Sequence, residues 1–92
     1  MYLIVSYDVP AKRTEKYRKL LACYLTHLQY SVFAGDLTEV VYRRLRQDIN
    51  SLYKDTDHLV FIQTDNRRNI HVDILENGMK QEDTSHLGSA IV

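Results

Sequence analysis

Among its 92 residues the chain has one cysteine, one proline and no tryptophan, and its formal net charge is zero. A lone cysteine, Cys23, excludes an intramolecular disulfide and any cysteine-based metal cluster, and a reducing compartment is the simple expectation. Zero net charge by itself points neither to nucleic acid nor to a membrane surface. Long apolar runs are also missing. The first one stops at Asp8 with no basic region before it, too short for a signal peptide or a membrane span. The protein is therefore expected to be cytoplasmic, with no membrane partner. No internal repeat or low-complexity segment is present.

What is there suits one small globular domain. The apolar content of 45% is ordinary for a folded protein. A chain this short buries roughly 60% of its unfolded surface, so its stability alone is marginal and a second subunit would help. The charges are unevenly spread. Residues 1–54 hold nine Lys/Arg and five Asp/Glu, a balance of +4, and residues 55–92 hold three and seven, a balance of −4. A basic body of this kind is compatible with an anionic ligand.

Period and punctuation mark the elements. Tyr2–Tyr7 is a nearly continuous apolar run bounded by Asp-Val-Pro, which predicts a central strand covered on both faces. From Ala11 to about Thr26 the spacing of Tyr17, Leu20, Leu21, Tyr24, Leu25 and Leu28 predicts an amphipathic helix. Gln29–Phe33 alternates and predicts a strand, with Ala34-Gly35-Asp36 as a turn and Asp36–Leu37 as a short return strand. Thr38 is a candidate N-cap with Glu39 behind it. Val41, Leu45, Ile49, Leu52 and Tyr53 trace a second helix ending near Lys54. His58–Thr64 predicts a strand, 65–69 a polar loop, and the alternation from Ile70 to Leu75 a further strand.

The order βαββαβ predicts an α+β, ferredoxin-like domain, an antiparallel sheet with two helices on one face. Residues 1–76 form this domain together with the extra C-terminal strand, which is free to pair with the edge of a partner subunit. Residues 77–92 are a polar tail, mobile or docked on the partner.

The residues YDV closing the first strand, the basic helix, and QYSVFAGDLT leading into the second helix resemble a family. It is the small CRISPR-associated endonuclease of spacer acquisition, the second core adaptation protein and partner of the integrase. The resemblance runs from Tyr2 to about Thr64, and its most specific part is Gln29 to Phe33 with Gly35, Leu37 and Thr38. It implies a homodimer in which the strand after Asn69 joins the partner's sheet. It also implies that Asp8 of each subunit approaches the two-fold axis as catalytic residue and Mg²⁺ ligand. Cleavage of single-stranded RNA or double-stranded DNA, and a scaffold role supporting the DNA fragment destined for insertion, come with it. The chain departs from the pattern where Cys23-Tyr24 replaces Tyr-Gly and where His27 replaces a common arginine.

Residue by residue, two readings stand side by side. Asp8 either satisfies backbone donors at the start of the first helix, with Pro10 in its first turn, or binds metal. Mg²⁺ needs only one or two carboxylates, so a pair of Asp8 side chains would suffice. Lys12, Arg13, Lys16, Arg18 and Lys19, offset by Glu15, form either a solvated helix face or a set of phosphate contacts. Arg43, with Arg44 and Arg46, and the loop pair Arg67 and Arg68 are secondary nucleic-acid candidates. Gln29, Ser31 and Phe33 are assigned to dimer contacts or structural support. The four histidines show no metal-ligand spacing, and the tyrosines read as core or interface positions. Two other functions fit the same fold: a toxin-type ribonuclease, and a non-enzymatic regulatory module.

Overall fold

The structure is a computed structural model that describes residues 1–65. Its elements are β1 (Tyr2–Asp8), α1 (Ala11–Ala22), β2 (Thr26–Gln29), β3 (Val32–Asp36), α2 (Glu39–Leu52) and β4 (His58–Thr64). The strands form one antiparallel sheet in the order β2-β3-β1-β4. This is the ferredoxin-like arrangement expected from the order of elements. The extra strand at 70–75, the tail at 77–92 and the loop arginines Arg67 and Arg68 lie outside the described residues.

β1 is central because it has apolar residues for both of its faces. Leu3, Val5 and Tyr7 point to one side and join Tyr17, Leu21, Leu25, Phe33, Leu37, Leu45 and Ile49 in a single buried cluster beneath the helices. Full burial of one such aliphatic or aromatic side chain is worth roughly 1.5–3 kcal/mol. Tyr7 stacks at 5.6 Å on Tyr17 and at 6.3 Å on Phe33, which ties β1 to α1 and β3. On the opposite side the register lines up Ala34, Ile4 and Ile62 in one row and Val32, Ser6 and Val60 in the next. Asp8 and His58 pair at the end of the same face.

Two boundaries differ from the sequence reading. α1 ends at Ala22, and Cys23 caps it with its N–H on the carbonyls of Leu20 and Leu21. The chain needs Thr26–Gln29 as an edge strand, so the helical spacing of Leu25 and Leu28 is overridden by sheet pairing. The hairpin turn is at Tyr30-Ser31 rather than Ala34-Gly35-Asp36, which lies inside β3. Gly35 is in the strand because of close packing: a Cβ there would come 3.2 Å from Leu25 Cδ2. Tyr30 takes the positive φ of 43° at the turn, a conformation costly for a bulky residue. Leu28 is inserted as a bulge between His27 and Gln29. At α2, Thr38 accepts from the Val41 N–H at 3.2 Å, the cap expected there.

Candidate functional site

Strand polarity gathers one end of the sheet. β1 ends, β3 begins and β4 begins at the same edge, and the Tyr7 N–H donates to the Ser31 carbonyl across it at 3.2 Å. Asp8, His58, the Tyr30-Ser31 turn and the start of α1 therefore lie close together. Asp8 is exposed. The capping reading of Asp8 does not hold, because Pro10 occupies the N-cap of α1 and no side chain caps that helix. The carboxylate is left exposed at the end of β1, with His58 as its cross-strand neighbour.

Below this end is a buried polar network that the sequence reading missed. Arg13 and Asp57 are only 6% and 1% exposed. Arg13 donates through Nε and Nη2 to the Asp57 carboxylate, at 3.0 and 2.8 Å, and through Nη2 to the Leu52 carbonyl at 2.6 Å. Asp57 also accepts from the Tyr17 hydroxyl at 2.6 Å, the Lys54 N–H at 3.0 Å and the Thr56 hydroxyl at 3.2 Å. No buried side-chain polar atom lacks a partner among the described residues. These donors, Arg13 first, hold the Asp57 carboxyl well below the usual range. Burial, with the bond to Asp57, pushes Tyr17 up to about 12.

Arg13 is thus corrected from a surface phosphate contact to an internal ion pair. A signal for this was present: Arg13, Tyr17 and Leu21 follow one another at i, i+4 and i+8, which puts Arg13 on the buried face of the helix.

The other cations divide into groups. Lys12, Lys16 and Lys19 are exposed on α1. Lys12 and Lys16 share an open depression of about 380 Å³ with Pro10, Arg13, Lys54 and Thr56. Arg18 is ion-paired to Glu15, which reduces its availability to a phosphate. Arg43 and Arg44 are exposed on α2, and Arg46 lies 4.5 Å over the Phe61 ring while donating to the Tyr42 hydroxyl at 2.9 Å.

Gln29, Ser31 and Phe33 do not share one strand. Gln29 ends β2, Ser31 is in the turn, and Phe33 is buried in the core of its own subunit, stacked 4.6 Å from His27. His27 Nε2 lies 2.6 Å from the Tyr30 carbonyl oxygen and pins the turn.

Asp8 is an exposed hard oxygen donor suited to a divalent cation. Among the described residues no three His, Cys, Asp or Glu side chains cluster to hold a metal. Asp8, with His58 as its cross-strand neighbour, is the candidate ligand that one chain offers. Among the same residues no helix is long and apolar enough to cross a membrane.

Comparisons with known proteins place the chain in a family. A family profile described as "CRISPR associated protein Cas2" matches residues 1–70. A "CRISPR-associated endoribonuclease Cas2" of Haloferax volcanii is 52% identical over 66 residues, covering 72% of this chain and 77% of the relative. One of Methanosarcina acetivorans is 31% identical over 88 residues, covering 95% and 99%. The crystal structure of Streptococcus pyogenes Cas2 at pH 6.5 superposes with a TM-score of 0.68 at 25% identity, covering 82% of this chain and 99% of that one.

Proposed function

The chain belongs to the Cas2 family of CRISPR-associated proteins, and from that premise we propose that it works as a homodimer in spacer acquisition. In this reading it binds double-stranded DNA through backbone charges as a scaffold for the integrase, and cleaves RNA or DNA phosphodiesters with Mg²⁺. The observation that carries the reading is Asp8, exposed and without a capping role at the end of β1, on the sheet face that neither helix covers. Its relatives' name, endoribonuclease, makes single-stranded RNA the first substrate to test. The toxin-type ribonuclease and regulatory-module readings are not favoured by the family match. A cytoplasmic location follows from the same reading.

The second subunit is argued from the same face. Its rows of Ile4, Ala34 and Ile62, then Val32 and Val60, are apolar; Ile4 and Ala34 are already buried within the chain, and Val60 is 41% exposed. Two such faces stacked about a two-fold axis would cover Val60 and bring the two Asp8 carboxylates toward each other. The strand expected at 70–75 would add the partner's sheet edge.

Asp8 of each copy would hold Mg²⁺. The chemistry supplied by that ion, when bound, is activation of water and neutralisation of charge on the phosphate. The chain's own task is to hold the nucleic acid. Lys12, Lys16 and Lys19 offer point charges to the backbone, while Arg13 and Asp57 keep the start of α1 fixed.

Asp8→Asn tests the reading. Divalent-dependent cleavage of RNA or DNA should vanish while the dimer and its DNA affinity persist. Lys12→Gln with Lys16→Gln should weaken DNA binding and reduce its salt dependence. Undiminished cleavage by Asp8→Asn would remove Asp8 from the chemistry. Wild-type protein that binds no nucleic acid would end the proposal.

A further inference from the structure

We propose that the depression between the start of α1 and the loop after α2 binds a phosphate group, with Lys12, Lys16 and Lys54 as its charged walls. The inference rests on the nucleic-acid reading above. It deepens that reading by naming the group taken and by bringing in Lys54, from a different element.

Lys12, Lys16 and Lys54 line one open depression of about 380 Å³ together with Pro10, Arg13 and Thr56. Among the described residues none of the three lysines forms an ion pair. Of the two acids in the adjoining loop, Asp57 is turned inward, where Arg13, Tyr17, the Lys54 N–H and the Thr56 hydroxyl all donate to it, and Asp55 is exposed but does not line the depression. No carboxylate is among the residues that line the depression. Like charges so placed repel, and a multiply charged anion seated among them relieves the repulsion. α1 begins here with no acid in its first turn, so the helix dipole adds the same sign.

A phosphate suits this geometry better than a carboxylate. Its tetrahedral oxygens can accept from several lysines approaching from different directions, and lysine binds phosphate as a point charge. The wall is also preorganised. Lys54 N–H donates to Asp57 at 3.0 Å, and Asp57 N–H donates back to the Lys54 carbonyl at 2.9 Å. The loop is thereby pinned to the same carboxylate that holds α1, and little ordering is left for binding to impose. The phosphate has two sources in a nucleic acid, a diester within the strand or a monoester at its end.

The experiment compares wild type, Lys54→Gln and Gln47→Glu. The last makes the same change in net charge on an exposed α2 position away from the depression. With inorganic phosphate as probe at fixed ionic strength, the ligand should raise the melting temperature of wild type and Gln47→Glu alike. Lys54→Gln should weaken the apparent affinity by about three- to tenfold. Equal weakening in both variants, or no response in wild type, overturns the site.

A second arm uses one short single strand with and without a 5′-phosphate. A preference for the phosphorylated strand that Lys54→Gln abolishes supports the site and assigns it to strand ends. Equal binding of the two strands, with a salt slope lowered by about one in Lys54→Gln, supports it and assigns it to the backbone. Nucleic-acid binding that Lys54→Gln leaves untouched in both strands removes this site while the proposed function stands. Wild type that responds to phosphate but binds no strand removes the proposed function and leaves the site.

Discussion

Arg13 donates to Asp57 at 2.8 Å across 44 residues of sequence, and the pair is closed off from solvent. Two charges removed from water are retained because each is satisfied: besides the guanidinium, the Tyr17 hydroxyl, the Lys54 N–H and the Thr56 hydroxyl donate to the carboxylate, and the guanidinium also reaches the Leu52 carbonyl. Such a pair locks the first helix to the loop entering β4, and that loop and helix together carry the charges at the candidate site.

Asp57→Asn leaves the buried guanidinium without its counter-charge. Its melting temperature near neutral pH should fall by about 10 °C or more relative to wild type. The carboxyl's pKa is depressed in the folded state. Its stabilisation is therefore fully present above the unfolded value, near 3.9, and is lost as pH falls below that toward the native value. The gap between wild type and variant should hold from pH 8 to about 5 and narrow below about 4. A gap of constant size down to pH 2.5, in paired thermal melts, would assign the effect to shape rather than charge.

Tyr17 shows the opposite sign. Its pKa rises from 10.0 to about 12 on folding, so the unfolded chain loses this proton first. The stabilisation is complete below pH 10 and drains away between 10 and 12. Absorbance of tyrosinate should show Tyr17 titrating late, and Tyr17→Phe should flatten the decline in stability over that interval. A variant whose alkaline limb matches wild type would refute this account.

Val60→Lys places a charge on the sheet face opposite the helices at a position already 41% exposed, so the single chain should fold with little change. A dimer stacked on that face should dissociate, and sedimentation should find monomers at concentrations where wild type is dimeric. A dimer of undiminished affinity would move the interface elsewhere.

Tyr30 is 84% exposed and held at a φ of 43°. Asparagine tolerates that backbone better, so Tyr30→Asn should stabilise the chain by about 0.5–1 kcal/mol. Denaturant unfolding will measure it. A loss of stability instead would show that the ring makes a contact worth more than the strain it imposes.

Much of this was legible in the residues. Tyr2–Tyr7 read as a central strand, since its apolar positions serve both faces, and the Thr38 cap with Leu45 and Ile49 behind it marked α2 almost to the residue. The hairpin was misplaced because Ala34-Gly35-Asp36 carries turn chemistry, whereas Gly35 answers to the Leu25 side chain packed against it. The turn fell on Tyr30 because cross-strand register, from Thr26 against Ala34 to Gln29 against Val32, left two residues between the strands.

The sequence by itself determined the class of fold, the family and the candidacy of Asp8, because hydrophobic period and short motifs are local properties of a chain. Only the tertiary structure decided which charges are available. Of the five cations on α1, helical spacing sets apart only Arg13, yet the structure buries that one against Asp57, pairs another with Glu15 and gives two a depression shared with Lys54. That sorting depends on which distant residue each side chain meets, and no spacing along the helix encodes the position of a carboxylate 44 residues away.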